Sequence, residues 1–462
     1  MKKFAVLATA LLTLALGAPA VIGFKAEARY QLAIDRIQQS GVKVVSQRYD
    51  RGWFGSTAET GLLFVKPEEV SASNDSDSLQ FTLLSTISHG PLVSSGFGLA
   101  EIDSEIKALK EAIFPPDYPA TIHTLVDLVG NGRTRVNLPA AEITGSVQMP
   151  DLSFGGLFGE MAFDAGFREM EVGFVLHSLS VSSAGQKLAE LGETRLDSNS
   201  HTSVSGVLLG SGNFRVQRLL LSDAESGDQM LVNELAIDLK SSEEAEQVSA
   251  VAGYRVQRIE IGGEVYGPGL LRLELSRLSG PVLVRLQQAM AEIKKQAMTD
   301  AQRSMAQLGV VMNIGSELLK SDPAIAIKPL RLVTPDGTLE GELSLRGDGL
   351  RPADLSSIPA LANKLIADLS LRMPEKLFRA MLIKQAGLKL DQQIAAIVEQ
   401  GGEAPELDRD QLQQLVEHQV DEQLNHWLAQ EIIQRDGSDL ATLASLSSGL
   451  LTINGKTIPL PQ

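Results

Sequence analysis

The segment FRVQRLLL, Phe214 to Leu221, sets large apolar side chains against charged or polar ones in alternation before it ends in a leucine run. Successive side chains of an extended chain point to opposite sides, so Phe214 and Val216 share one face and Arg215 and Gln217 the other, the pattern of a half-buried strand. The pattern returns forty residues later as Tyr254-Arg255-Val256-Gln257-Arg258-Ile259. A repeated sheet unit and two independently similar strands both fit that recurrence. Leu79 to Ile87, Thr121 to Val129 and Glu171 to Val181 read the same way, with Gly, Asn, Asp and Ser between them. Short strands at near-regular spacing from about 78 to 275 predict an antiparallel, meander-like sheet.

Working outward, Val42 to Tyr49 and Thr57 to Lys66 form a hairpin across Asp50-Arg51-Gly52-Trp53-Phe54-Gly55. Residues 67–77 are a polar loop. Ala324 to Leu332 and Thr338 to Arg346 pair around Thr334-Pro335-Asp336-Gly337, and the chain closes on a hairpin at Asn454-Gly455, a strong two-residue turn signal. Between these lies a helical stretch from Pro281 to Lys320, whose stripe runs through Leu286, Met290, Ile293, Met305, Leu308 and Met312 at close to the helical period. This stripe is expected to pack on the sheet, with a bend at Gly309 or Gly315. Helices are also expected at about 374–386, 388–400 and from an Asp410 cap to Arg435, with an acidic loop at 401–409. The expected fold class is α+β: a large twisted antiparallel sheet with long packing helices, plus an N-terminal transmembrane anchor. The divisions are 1–24 (anchor), 25–66 (amphipathic helix and first hairpin), 67–280 (β-rich) and 281–462 (mixed helices and hairpins).

The anchor rests on Lys2 and Lys3 followed by an uncharged run from Phe4 to Phe24. As a helix, that run spans roughly the 30 Å of a bilayer core. Ala18-Pro19-Ala20 and Ala26-Glu27-Ala28 offer small-x-small cleavage patterns, so a cleaved signal with a free periplasmic body is the alternative. Either reading exports the body to the periplasmic side of a bacterial inner membrane. The absence of cysteine fits that compartment and excludes disulfides, thiolate metal sites and cysteine nucleophiles. A net charge of −16 repels phosphate backbones, so no nucleic acid partner is expected. Aromatic residues, at 5%, are too few for stacking platforms.

The sequence offers no phosphate-cradling glycine loop, no G-x-S-x-G elbow and no H-E-x-x-H helix, so no catalytic residues and no cofactor are assigned. His418, Glu422 and His426 stand four apart on one predicted helix; the helical period alone explains this, and no metal site is assigned. The methionines Met290, Met298, Met305 and Met312 read as core filling rather than as a soft binding surface.

Tyr49-Asp50-Arg51-Gly52-Trp53-Phe54-Gly55-Ser56, shortly after the apolar N-terminus, resembles the Y-x-R-G-x-F-x-S element of the YdgA-like proteobacterial envelope proteins. His89-Gly90-Pro91 resembles their H-G-P element. The run from Pro323 to Leu345 and the terminal Leu450 to Leu460 resemble further family segments in the same order. The resemblance implies an inner-membrane-anchored periplasmic protein, with surface motility and self-association among the family's associations. It carries over no catalytic residue. Tyr49, Arg51, Gly52, Phe54, Ser56, His89, Gly90 and Pro91 are therefore motif positions, read as structural. The expected function is a non-enzymatic protein that binds or organises envelope partners. The alternative is a groove-type carrier or sensor of an apolar ligand such as a lipid.

Overall fold

A computed structural model describes residues 22–28, 30, 31, 34, 38, 43–64, 79–108, 118–145, 150–223, 226–296, 298–399 and 409–458. Among the described residues strand predominates over helix, and every strand pairing described is antiparallel. The chain divides into two compact units: residues 1–246 with 283–312, and residues 247–282 with 313–462.

The first unit opens with β1 (Lys43–Arg51), β2 (Gly55–Phe64) and β3 (Leu79–His89). A small hairpin of β4 (Leu92–Val93) and β5 (Gly96–Phe97) follows, then β6 (Ala100–Ala108), β7 (Thr121–Val126) and β8 (Gly132–Leu138). These pair as β1–β2–β3–β6–β7–β8, and the sheet continues through Leu157–Phe163, Glu169–Leu176, Thr194–Thr202, Leu208–Ser222 and Gln229–Glu244. Register carries the same side of each strand across eleven strands, one face mainly charged or polar and the other mainly apolar. One cross-strand row reads Asp50, Thr57, Thr86, Asp103, His123, Arg135, Glu160, Gly173, Asp197, Asn213 and Asp238. The adjacent row, on the other face, reads Tyr49, Ala58, Ser85, Ser104, Ile122, Val136, Gly159, Phe174, Leu196, Phe214 and Ile237.

In the second unit, Gln247–Ile261, Gly269–Ser279, Ala324–Thr334, Gly337–Gly347, Leu365–Pro374, Asp439–Ser447, Leu450–Ile453 and Lys456–Ile458 pair in that order. Both expected hairpins are present. Thr334 Oγ1 donates to the Gly337 carbonyl at 2.8 Å, and Asn454 and Gly455 both take positive φ, as a two-residue hairpin turn requires. The helices Glu375–Glu399 and Arg409–Ala429 pack on each other through Phe378 and Trp427 and through a two-pronged Arg379–Asp421 pair at 2.6 and 3.0 Å. Gly387, expected to divide the first of them, sits inside it with nothing within 4 Å of a Cβ there. The acidic loop lies outside the described residues.

Two expectations are corrected. The fold is mainly sheet, and no helix among the described residues is long and apolar enough to cross a membrane, so the expected transmembrane anchor is not found among them. Most of the Phe4–Phe24 run lies outside the described residues. Its last residues, 22–24, belong to a helix whose Gly23, Ala26, Tyr30 and Ile34 face is buried on the first unit's sheet, against Ala58, Ile87 and Ala100. Of those three residues Gly23 is buried, while Phe24 is 60% exposed. The second correction concerns the long helix. Its first helix ends at Lys295, and Thr299 and Gln302 form a reciprocal cap that starts a separate helix, Asp300–Val310. A π turn, Val311–Gly315, follows. Met305, Leu308 and Met312 are 76%, 62% and 60% exposed. The expected stripe is therefore buried in its first part, with Val282 and Ile293 8% and 6% exposed, and faces solvent beyond Thr299.

Ile87, 1% exposed, and Leu308 belong to the same unit and make opposite predictions. Ile87→Ala should cost about 2–5 kcal/mol. Leu308→Ala should change stability by less than about 0.5 kcal/mol. Urea unfolding of the full chain measures both, and equal losses would contradict the assignment of the core.

Candidate functional site

The two motif elements, separated by more than thirty residues, meet at one end of the first sheet. Gly52 donates its N–H to the Gly55 carbonyl at 2.9 Å and closes the β1–β2 turn, while the His89 N–H donates to the Phe54 carbonyl at 2.9 Å. Ser56 and His89 are each 4% exposed, and Ser56 Oγ lies 2.9 Å from His89 Nε2. His89 Nδ1 faces the Trp53 carbonyl at 3.3 Å, so a proton on Nδ1 leaves Nε2 to accept from the serine. Above the ring lies Gly23, where a Cβ would come within 2.7 Å of the imidazole. Gly90, whose bond to Pro91 is cis, donates to the Leu99 carbonyl and turns the chain into the β4–β5 hairpin.

The remaining motif positions hold the N-terminal helix. Arg51 pairs with Glu27 at 2.7 Å and stacks its guanidinium 3.7 Å from the Phe24 ring centre. Tyr30 Oη bonds Thr60 Oγ1 at 2.8 Å and its ring lies 5.6 Å from that of Tyr49. Burial raises the Tyr49 hydroxyl's pKa, with Ser56 partly offsetting it. The serine–histidine contact has the spacing of a nucleophile and its base, but no carboxylate adjoins Nδ1 and Gly23 seals the ring. The geometry is that of a clamp joining helix, turn and strand end.

On the charged face, Glu101, Asp103 and His123 bring one ligand-type atom each within 4.8 Å of one another. His123 Nδ1 lies 2.8 Å from Asp103 and Nε2 lies 3.7 Å from Glu101, so the ring is wedged between carboxylates and its two nitrogens diverge. Glu101 is already engaged by the Ser95 hydroxyl and N–H. Burial would raise its pKa, but the bonds from Ser95 and Ser94 outweigh that and hold it below the usual carboxylate range. Asp127 is lowered in the same way, burial being outweighed by N–H groups of residues 129–131 at 2.7–2.9 Å. Grooves of about 750 and 590 Å³ run along this face. Cross-strand pairs such as Arg135–Glu160 at 2.8 Å line it, as expected of a solvated surface. His418 and Glu422, 3.8 Å apart, are 74% and 73% exposed on their helix, and His426 is exposed there too.

The opposite faces are different. In the second unit one row reads Ala252, Leu273, Ile327, Leu343, Leu369, Ala444 and Ile453. The next reads Ala250, Leu275, Ile325, Leu345, Ala367, Leu446, Leu451 and Ile458. Every one of these side chains is partly exposed, and Ile325 reaches 40%. In the first unit the N-terminal helix covers the opening strands, while Phe174, Phe214 and Ile237 are half-buried and Leu196 is 37% exposed. The largest side chains below 2% exposure are Ile87, Val420, Thr60 and Pro374, with no leucine or aromatic among them. A sheet normally buries its apolar face against another layer; over these rows that burial is incomplete. Alternating apolar residues were visible in the sequence, but the missing cover was not.

Removing the Ser56 hydroxyl leaves a buried imidazole nitrogen without its partner, so Ser56→Ala should cost about 1–3 kcal/mol. Glu101 and Asp127 have folded pKa values below their unfolded ones, near 4. Their contribution is therefore complete above about pH 5 and lost as pH falls through the folded values. The urea midpoint should drop between pH 5 and pH 3, and less steeply in Asp127→Asn. A midpoint flat over that range would contradict the bracing role of these carboxylates.

No curated protein matches the chain, and no solved structure does. The family described as "Bacterial protein of unknown function (DUF945)" matches residues 1–461, and with that coverage the chain belongs to the DUF945 family.

Proposed function

We propose that this protein is a non-enzymatic binding protein of the bacterial cell envelope, and that the acyl part of a lipid occupies the open apolar rows of its sheet. The observation that carries this reading is the partly exposed run of Leu, Ile and Ala across seven strands of the second unit. Specific protein interfaces set register with aromatic and arginine anchors and with a hydrogen bond per 100–200 Å². The two rows present no aromatic, no arginine and no side-chain hydrogen-bonding group. An occupant held by area alone, without directional contacts, fits them better, and acyl chains are of that kind.

The envelope assignment rests on the basic-then-uncharged N-terminal sequence, the absence of cysteine and the ordered resemblance to YdgA-like envelope proteins. The non-enzymatic reading rests on the sealed Ser56–His89 pair and on the divergent nitrogens of His123. Self-association through the same rows is the competing reading, and one experiment separates the two. Protein purified from its host's membranes or periplasm is analysed by native mass spectrometry with lipid extraction. Phospholipid or another acyl lipid should accompany the wild type and be lost in Leu343→Asp with Leu369→Asp. A lipid-free wild type whose dimer is broken by the same changes would favour self-association, and a lipid content equal in both proteins would defeat the proposal.

A further inference from the structure

The turns at the motif end of the first sheet share a property that the apolar rows do not explain. Trp53 and Phe54, in the β1–β2 turn, are 59% and 57% exposed. Leu92 and Phe97, on the β4–β5 hairpin, are 68% and 76% exposed. Val129, in the β7–β8 turn, is 75% exposed, and Val204, in the turn before Leu208, is 99% exposed. Backbone bonds from His89 to Phe54, Leu99 to Val126 and Thr202 to the Arg168 carbonyl place these turns along one edge. Four turns in that row each present a large apolar side chain to solvent. At the other end of the last strand pair, the described residues Asp223, Ser226, Gly227 and Asp228 are polar or glycine.

Four acidic groups of these turns face inward, whereas Glu244 and Glu246, just past Glu243 at the same end, are exposed. Glu101 accepts from Ser95 behind the β4–β5 hairpin, and Asp127 accepts from its own turn's N–H groups. Asp164 accepts from Arg168 and Glu169, and Glu243 accepts from Ser205, next to Val204. Each carboxylate satisfies a turn's backbone from inside, which fixes the turn and keeps negative charge off its tip. Among the cations at this end, Lys25 and the Glu27-paired Arg51 sit beside the exposed Phe24, and Arg168 is exposed in the Asp164–Arg168 turn.

We infer that this edge is a membrane-docking surface, whose braced turns insert Trp53, Phe54, Leu92, Phe97, Val129 and Val204 into the interfacial layer of a phospholipid bilayer. Aromatic and aliphatic tips with cations beside them suit that layer, where tryptophan is enriched and lysine and arginine reach phosphate. Turns already hydrogen-bonded from within can enter it without exposing unmet backbone groups to lipid. The inference does not depend on an acyl chain occupying the sheet face, and it fails separately.

The chain's two tryptophans allow a direct test with the full-length protein and vesicles of phosphatidylethanolamine and phosphatidylglycerol. In Trp427→Phe, only Trp53 emits; its emission should shift to the blue on vesicles and be quenched by lipids brominated on their acyl chains. In Trp53→Phe, the remaining Trp427 should be unaffected. A second pair of positions uses the absence of native cysteine: a polarity-sensitive dye on Val204→Cys should respond to the vesicles, and the same dye on Ser226→Cys should not. Failure of the chain to bind vesicles, an unchanged Trp53 on bound protein, or equal responses at both positions of either pair would overturn the inference.

Discussion

An antiparallel sheet has two faces, and the hydrophobic effect requires that its apolar one be covered by something. In this protein the strand register sorts the chemistry cleanly, with Asp103, His123, Arg135 and Glu160 in one row and Ile122, Val136, Phe174 and Phe214 on the reverse. The only cover described on the first unit's opening strands is a short helix using Ala26, Tyr30 and Ile34. The motif residues secure that cover. Gly23 admits the His89 ring, His89 bonds Ser56, and Arg51 holds Glu27 and Phe24. In the proposed reading, a cluster with the spacing of chemistry works as a fastening, and the apolar rows beyond it take the occupant.

Local signals in the sequence were read correctly. Asn454-Gly455 and Thr334-Pro335-Asp336-Gly337 fix their own φ angles, so the strands beside them follow whatever the rest of the chain does. Alternation in Phe214 to Leu221 likewise needs only the pleat of a strand, and that segment lies within a fifteen-residue one. Signals that depend on a distant partner were read less well. The apolar period from Val282 to Leu319 runs on through Thr299, yet the Thr299–Gln302 cap restarts the helix, and Met305 and Leu308 face solvent. Hydropathy alone carried the apolar run through Phe24, whereas Gly23 packs on the His89 ring and the helix continues past the run through Ala26 and Tyr30 on the sheet.

The motif positions were recognised as a set, but their meeting was not legible, because Ser56 and His89 come together only through the β2–β3 register, in which Ser56 lies opposite Ile87. The carboxylate braces divide similarly. Asp127 followed by Gly130 and Asn131 is a turn signature that could have been read locally. Glu243, which braces Ser205 from thirty-eight residues away, left no trace in the sequence.

The central claim is that the rows containing Leu343 and Leu369 are held open for acyl chains. Photo-crosslinking in living cells tests it most directly, with benzoylphenylalanine placed at Leu343 and, separately, at Ser344, its neighbour on the charged face. Purification and mass analysis should find a lipid adduct on the chain substituted at Leu343 and none on the chain substituted at Ser344. Adducts to protein alone at Leu343, or lipid adducts equal at the two positions, would contradict the account.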